Sequence, residues 1–383
     1  MRNNVSRGDL DTLIDHLKGD DPKLTHGPNV ERFEQEWSSW LGKSRSVMVN
    51  SGSSANDLTL LALKYVHGTG EVIVSPLGWV SDIAAILHAN CKPVFVDIDL
   101  DTLAPSAGAI ENRVTNQTRA AILVHVLGLP ALKPAHVEFF TSNPQVKLIE
   151  DVCEAHGAKV GTHRAGSIGW VSNFSFYYAH HLTTVEGGMV CTDDPKVYET
   201  VRMLRSHGLV REVSDGPTRN SIVSSHPDLN SEFIFEYFGH NMRPTEIQGI
   251  LGLAQLARLD QNNLARTRNF TKFLNQLDNE TFLTDFALEG SSNYAFILVL
   301  RDKDFEKRDK IEQVMRDNLI EFRRGLSGGG NQTRQPYLQR EFPDLDPTKF
   351  PNAEHVHNFG WYIGNYPDLD PNDIDWLCEV LNS

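Results

Sequence analysis

The chain has 383 residues, of which 40% are hydrophobic and 22% charged, and its formal net charge at pH 7 is −14. A chain of this length and composition can bury a large core, so we expect one large domain and one smaller domain. The acidic balance, without any cluster of Lys and Arg, argues against a general binder of nucleic acids or of anionic membranes.

The amino-terminal segment and the cysteines are typical of a cytoplasmic protein. Residues 1–19 are polar and mixed in charge, which is not the pattern of a signal or targeting peptide, and no apolar run approaches the length of a membrane span. The four cysteines, Cys91, Cys153, Cys191 and Cys378, form no CxxC pair. This usage favours free, mostly buried thiols in a reducing compartment, without a metal centre or a disulfide framework.

The first part of the chain alternates strand-like and helix-like segments. Continuous apolar runs predict strands at residues 47–50, 71–74, 93–97, 120–125 and 146–151. Helical periodicity predicts helices at residues 55–63 and 80–88. Continuous apolar strands are typical of a sheet that is covered on both faces. We therefore predict an α/β fold with a mostly parallel central sheet and active-site groups at the carboxyl ends of its strands.

The pattern changes beyond about Leu264. A strand is predicted at residues 293–300 and helices at 306–318 and 373–381. We therefore expect a large α/β domain over residues 1–260 and a small α+β domain over residues 261–383. Within the small domain, the Gly/Pro/Asn/Gln-rich passage from 325 to 351 is either a binding loop or a flexible surface loop.

Two polar positions follow predicted strands. Residues 51–56 lie at a strand-to-helix junction, where backbone amides, hydroxyls and the helix dipole can bind a phosphate, although Ser-rich turns of this kind are often plain helix caps. Asp151 ends a predicted buried strand, where its carboxylate could pair with a protonated ring nitrogen or cap the next helix.

A run of aromatic and histidine residues carries the most specific signal. Residues 175–182 have the sequence SFYYAHHL and are followed by Glu186, Gly187 and Gly188. Along the chain, the junction near Gly52, Trp79, Asp151, this run and the segment 241–248 (NMRPTEIQ) occur in one order. Together they resemble the DegT/DnrJ/EryC1/StrS family of sugar-nucleotide aminotransferases, and the resemblance extends over nearly the whole chain. It implies the aspartate aminotransferase fold (fold type I) and the cofactor pyridoxal phosphate (PLP).

The resemblance also implies a set of cofactor contacts. Gly52, Ser53 and Ser175 match the phosphate-binding positions, and Trp79 matches the aromatic side chain that stacks on the cofactor ring. Asp151 matches the partner of the pyridine nitrogen, while Glu154 stands near the ring oxygen, where many members carry glutamine. Asn241 matches a residue that reaches the phosphate across a dimer interface, so a homodimer with shared active sites is implied.

His180 departs from the family pattern, because it stands where the family has the lysine that binds PLP as a Schiff base. Imidazole forms no stable Schiff base but is an acid/base group near neutral pH. Two branches with this replacement remove the 3-hydroxyl of nucleotide-linked ketosugars. One of them needs an iron–sulfur cluster, but only Cys378 lies beyond Cys191, so that cluster cannot be built here.

The resemblance therefore implies a 3-dehydratase that acts through the amine form of the cofactor, pyridoxamine phosphate (PMP). The implied partners are L-glutamate as amino donor and a nucleotide-linked 4-keto-6-deoxysugar, expected to be the GDP-mannose derivative of the colitose pathway. The nucleotide rests on the resemblance alone. His180 is the predicted acid and base, and neighbouring His181 is more simply explained by packing or hydrogen bonding.

Two other functions remain open. One is an aminotransferase that tolerates histidine, which the absence of lysine from residues 174–188 counts against. The other is a catalytically inactive protein of this fold with a binding or regulatory role. Candidate substrate contacts are either loop residues over the site or arginines beside a glycine run that could bind a diphosphate or a carboxylate, and each could equally be a solvated surface residue. They are His207, Arg211, Arg323, Arg324 and Arg334.

Overall fold

The computed structural model describes residues 4–383, so the first three residues of the predicted large domain lie outside it. Its helices are α1 (Arg7–Leu17), α2 (Pro28–Leu41), α3 (Gly52–His67), α4 (Val80–His88), α5 (Ala107–Glu111), α6 (Pro134–Ser142), α7 (Pro195–Arg205), α8 (Gly216–Ser225), α9 (Glu246–Gln276), α10 (Phe305–Asp317), α11 (Pro336–Glu341), α12 (Pro351–Phe359) and α13 (Pro371–Asn382). Within the described residues, no helix is long and apolar enough to cross a membrane.

The strands form a large sheet, a small sheet and a hairpin. They are β1 (Arg45–Val49), β2 (Glu71–Val74), β3 (Lys92–Phe95), β4 (Thr118–Val124), β5 (Lys147–Asp151), β6 (Lys159–Val160), β7 (His163–Arg164), β8 (Val171–Ser175), β9 (Gly188–Thr192), β10 (Ala295–Val299), β11 (Phe322–Arg324) and β12 (Gly360–Gly364). The seven-stranded sheet has the order β1-β9-β8-β5-β4-β2-β3, and β9 is antiparallel to both of its neighbours. The three-stranded sheet has the order β10-β12-β11.

This architecture confirms the predicted α/β fold with a mostly parallel central sheet. Strand β2 and helix α4 have the predicted bounds, and the other predicted elements differ from the observed ones by a few residues at their ends. Because β1, β8, β5 and β4 run in the same direction, their carboxyl ends meet at one edge of the sheet. Gly52, Asp151 and Ser175 are at or directly after three of these ends.

The largest departure from the expected organisation is α9. It has 31 residues and begins with a capping box, in which the Thr245 side chain accepts a hydrogen bond from the Gln248 backbone and the Gln248 side chain accepts one from the Thr245 backbone. The helix continues without a break past residue 260, so the expected domain boundary falls inside it, and the change of pattern near Leu264 is not the end of an element. Its later turns pack on β10, where Phe273 and Phe296 stack at 4.6 Å between ring centroids.

A buried ion pair joins α7 to α2 beneath β1. The Arg205 side chain is fully buried and donates hydrogen bonds to Glu34 Oε1 at 2.9 Å and to the Met48 carbonyl oxygen at 2.7 Å. Burial raises the pKa of the Glu34 carboxyl, and the positive charge of Arg205 opposes that effect. Removing one partner of such a pair leaves the other as an uncompensated buried charge.

We expect Arg205→Met to lower the free energy of unfolding by about 3 kcal/mol at neutral pH, because Glu34 loses its counter-charge. The loss should shrink in acid, where Glu34 is protonated. Urea denaturation at two pH values measures both effects, and Arg32→Met, which breaks the exposed Arg32–Glu36 pair, is the matched control with almost no expected effect. A loss no larger than that of the control would contradict the assigned role.

Candidate active site

The junction of β1 and α3 forms a small polar cradle. Ser51 caps α3 by accepting a hydrogen bond from the Ser54 amide, which leaves the first helical amides free to bind an anion. Gly52 packs so closely on β8 that a Cβ atom at position 52 would lie 2.5 Å from Ser175 Cβ. A helix cap and a phosphate site are therefore compatible here, since Ser51 serves as the cap while Gly52 packs on Ser175 and Ser53 stands exposed in the first turn of α3.

Asp151 lies at the end of β5 and is only 3% exposed. Its Oδ1 accepts a hydrogen bond from the Cys153 amide at 2.9 Å, and its Oδ2 accepts one from Asn56 Nδ2 at 3.2 Å. No helix begins after β5 in the described chain before α7, so the interpretation of Asp151 as a helix cap is wrong. The carboxylate is held at the sheet edge, where it can pair with a cationic ring nitrogen.

Glu154 follows Asp151 in the same loop. One carboxylate oxygen accepts a hydrogen bond from the Leu127 amide at 3.0 Å, and the other accepts one from Ser327 Oγ at 3.0 Å. Burial raises the pKa of Glu154 from its ordinary value of 4.5 to about 7, and the charge of Asp151 adds to this effect. Glu154 can therefore gain or lose a proton near neutral pH.

The Gly-rich passage reaches the site, because its residue Ser327 donates a hydrogen bond to Glu154. The Gln332 amide donates a hydrogen bond to the Pro76 carbonyl oxygen at 2.8 Å, and Asn331 is fully buried. A Cβ atom at Gly328 would lie 2.0 Å from the Gly78 carbonyl oxygen. Residues 325–334 are thus packed against the loop that carries Trp79, and the interpretation of this part as a flexible surface loop is wrong.

His180 lies in the turn after β8. Its amide donates to the Tyr177 carbonyl oxygen at 3.0 Å, and its carbonyl oxygen accepts from Asn4 Nδ2 at 2.6 Å. Within residues 4–383 its buried Nδ1 has no hydrogen-bond partner. Burial lowers the pKa of His180 to about 4, and the nearby Asp151 charge partly opposes this effect. The imidazole is therefore neutral at physiological pH and able to accept a proton.

Aromatic rings surround His180. The ring centroids of Tyr294 and His156 lie 5.4 Å and 6.0 Å from that of His180. His181 is buried and its Nε2 lies 3.0 Å from the Ser292 carbonyl oxygen, which supports a packing and hydrogen-bonding role. A cavity of about 500 Å³ opens beside this group and is lined by Ala179, Tyr294 and Tyr362, among other residues.

The remaining residues implied by the resemblance lie around the rim. Trp79 precedes α4 and is 55% exposed, which leaves its ring free to stack on a ligand. Asn241 is exposed, and the carbonyl oxygen of the next residue accepts a hydrogen bond from the Asn50 amide at 3.1 Å, near the end of β1. His207 and Arg211 are exposed; the His207 amide donates to the carbonyl oxygen of His240, next to Asn241, at 2.7 Å, and the Arg211 guanidinium lies 5.8 Å from the Phe233 ring.

The three candidate arginines of the small domain already have carboxylate partners. Arg324 binds Glu312, Arg334 binds Glu354, and Arg323 binds Glu321 at 2.8 Å. Arg323 also lines the cavity beside His180. A substrate diphosphate would have to compete with these carboxylates, so Arg324 and Arg334 are less available to it than their sequence positions suggested.

Sequence reasoning missed three buried polar residues of the site. Asn56 and Asp82 contact each other and Asn56 contacts Asp151, while His156 packs near His180 with both ring nitrogens unpartnered among the described residues. The available signals were a lone Asn in the apolar part of α3 and an Asp in the first turn of α4. Each is also common as a local helix feature, so neither was specific.

Glu154→Gln should make the stability of the cofactor-free protein less dependent on pH. With the folded pKa raised above its unfolded value, folding favours the protonated carboxyl, so wild-type stability falls as the pH rises from 4.5 toward 7. The shift corresponds to about 3 kcal/mol, and residual contact with solvent reduces the expected effect to about 2 kcal/mol.

Urea denaturation at pH 5 and pH 8 measures this change. Wild type should lose stability relative to Glu154→Gln between the two pH values, whereas the exposed Glu138→Gln should follow wild type. Parallel curves for wild type and Glu154→Gln would contradict the raised pKa.

The part of the chain that the structure describes contains no cluster of metal-binding side chains. No group of three His, Cys, Asp or Glu side chains in that range is arranged to bind a metal ion. All four cysteines are free, and Cys91, Cys191 and Cys378 are buried.

Comparison with known proteins is consistent with this geometry. The model of the DegT/DnrJ/EryC1/StrS aminotransferase family matches residues 9–382. The GDP-4-keto-6-deoxy-D-mannose 3-dehydratase of Escherichia coli O55:H7 is 29% identical over 370 residues, which cover 94% of this chain and 94% of that enzyme.

Two crystal structures of GDP-4-keto-6-deoxymannose 3-dehydratase superimpose on nearly the whole chain. A mutant with bound GDP-perosamine has a TM-score of 0.88 and 26% identity, and the match covers 99% of this chain and 98% of that chain. A second structure, with a trapped PLP–glutamate geminal diamine, has a TM-score of 0.86 and 26% identity over 99% of this chain and 98% of that chain.

Proposed function

Since the chain belongs to the DegT/DnrJ/EryC1/StrS aminotransferase family, we propose that it is a PLP- and PMP-dependent sugar-nucleotide 3-dehydratase. It removes the 3-hydroxyl of a nucleotide-linked 4-keto-6-deoxyhexose and gives a 3-deoxy-4-ketosugar and ammonia. The observation that carries the proposal is His180. A half-buried imidazole whose low pKa keeps it neutral stands in the turn where, by the family resemblance, aminotransferases have the cofactor lysine, and it lies close to Asp151.

The residues at the sheet edge fit the cofactor. The cradle of Gly52, Ser53 and Ser175 fits a phosphate, because hydroxyls and the start of α3 converge there and a side chain at position 52 would fill it. Asp151 is buried and suited to a pyridinium nitrogen, and Trp79 is exposed for stacking. Bound as PMP, the cofactor supplies an amine that condenses with the substrate keto group and a ring that accepts electrons.

His180 moves the proton. Its neutral ring would accept, at a ring nitrogen, the proton lost by the carbon that bears the cofactor amine, and would deliver it to the oxygen of the 3-hydroxyl as the C3–O bond breaks and water leaves. Imidazole forms no stable Schiff base, so the enzyme keeps no covalent hold on the cofactor. The reaction therefore ends in elimination and not in an amino sugar.

The relatives support a more specific proposal. A relative was crystallised with a PLP–glutamate geminal diamine and another with GDP-perosamine, so we propose L-glutamate as amino donor and GDP-4-keto-6-deoxymannose as substrate. We propose accordingly that the enzyme acts in dideoxysugar biosynthesis, as in the pathway to colitose. We further propose a cytoplasmic homodimer in which Asn241 reaches the cofactor phosphate of the partner subunit.

One incubation tests the reaction. Purified protein is mixed with PLP, L-glutamate and GDP-4-keto-6-deoxymannose, and the products are followed by an ammonia assay and by NMR of the sugar. Ammonia release together with a 3-deoxysugar is expected. A 4-amino sugar would instead show an aminotransferase, which the family also contains, and no turnover of GDP-, CDP- or dTDP-linked ketosugars would show an inactive binding protein.

A further inference from the structure

A second carboxyl group lies beside Asp151 and has no role in the reaction described so far. Asp82 is in the first turn of α4 and is 2% exposed. The Asn56 amide nitrogen donates to Asp82 Oδ1 at 2.9 Å and to Asp151 Oδ2 at 3.2 Å. One amide group therefore connects the two carboxyl groups.

The orientation of this amide is fixed from the other side. Asn56 Oδ1 accepts a hydrogen bond from Asn173 Nδ2 at 2.8 Å, and Asn173 Oδ1 accepts one from Thr59 Oγ1 at 2.7 Å. Flipping the Asn56 amide would place its oxygen against two carboxyl groups and its nitrogen against another amide nitrogen. The bridge is thus set by a buried chain of side chains on α3 and β8.

Among residues 4–383, no positively charged side chain forms a hydrogen bond or ion pair with Asp82 or Asp151. The titratable groups that face it are Cys153 and Glu154 after β5, His180 after β8 and Tyr337 of α11. At neutral pH each of these groups is either uncharged or negatively charged. Asp82 Oδ2 is buried without a hydrogen-bond partner among the described residues.

Two carboxyl groups that share a buried site do not both ionise readily, because two negative charges would repel each other there. One of the two groups therefore retains its proton. In agreement, burial and then the charge of Asp151 raise the pKa of Asp82 well above its ordinary range. A cationic ring nitrogen beside Asp151 would remove the need for that proton.

We propose that Asp82 and Asp151 share one proton in the cofactor-free enzyme and give it up when the cofactor binds. If the pyridine nitrogen arrives unprotonated, the carboxyl O–H bond breaks and the N–H bond forms at the ring. If it arrives protonated, the shared proton leaves to solvent. In both cases two carboxylates then face one pyridinium, which favours the protonated ring that an electron sink needs. The inference rests on the proposed cofactor site.

The experiment counts protons. PLP is titrated calorimetrically into cofactor-free wild type and Asp82→Asn at one pH, in buffers with different heats of ionisation. Asp82→Asn cannot hold the shared proton, so it should take up about one proton more per site, or release about one fewer, than wild type. Proton changes at the cofactor phosphate or ring oxygen occur in both proteins and cancel in the comparison.

The affinity should show the same difference. By linkage, the ratio of the PLP dissociation constants of Asp82→Asn and wild type should rise about tenfold per pH unit. The partly exposed Asp101→Asn should match wild type, and Asp82→Ser should reproduce Asp82→Asn if the asparagine variant folds poorly. Equal proton counts, or a ratio independent of pH, would overturn the shared proton. Failure of wild type to bind PLP would overturn the proposed function as well.

Discussion

His180→Asn is expected to lower the rate of dehydration by about a thousandfold or more, with PLP affinity within a few-fold of wild type. A positioned acid/base group contributes factors of this order, and asparagine cannot accept a proton from carbon. Cofactor affinity should survive because the cradle at Gly52 and Ser175 and the carboxylate of Asp151 do not depend on the imidazole.

The measurement combines ammonia release under saturating glutamate and substrate with a PLP titration followed by absorbance. His163→Asn is the matched control, because His163 lies exposed on the β6–β7 hairpin and should leave the rate unchanged. Near-normal turnover by His180→Asn would mean that His180 does not take part in the reaction. A parallel loss of PLP binding would instead assign it a structural role.

His180→Lys is expected to bind PLP covalently and to abolish dehydration. The buried position that disfavours a charged imidazole also lowers the pKa of a lysine amine, so a reactive neutral amine is available there. The adduct should shift the absorbance of PLP, and borohydride should make it permanent, which mass spectrometry of the intact protein detects.

Wild type treated in the same way should release its PLP on dialysis, since histidine forms no stable Schiff base. His163→Lys places an amine on the exposed hairpin and controls for non-specific labelling. Absence of an adduct in His180→Lys would mean that position 180 does not face the cofactor, and the correspondence with the family lysine would then be incorrect.

Most of the fold was predictable because its signals are local. Strands buried on both faces show continuous apolar runs, so β2 and β5 were found close to their observed bounds. Helix α9 was not recognised, although its capping box at Thr245 is visible in the sequence. Its periodicity is weak because it packs against different partners along its length, α1 and α2 as well as α13 and β10, and so carries no single apolar face.

The candidate site was likewise predictable from the sequence only in part. The candidates Gly52, Asp151, Ser175 and His180 came from motif positions, and the roles proposed for them, at a phosphate, at a ring nitrogen and in place of a lysine, depend on residue type. Asp82 was missed because its significance depends on Asp151, which is remote in the sequence. No local sequence pattern indicates such a contact. The partners of Arg324 and Arg334 were missed for the same reason.

By itself, the sequence determined the family, the α/β class and the cofactor, and it pointed to His180 as the residue in place of the family lysine, since each depends on residue identity at motif positions. Only the tertiary structure decided that burial lowers the pKa of His180, that residues 325–334 pack beside Glu154, and that Asp82 lies beside Asp151. These properties depend on burial and on distances between remote segments. Desolvation and charge pairing act through space, so they appear only when the chain has folded.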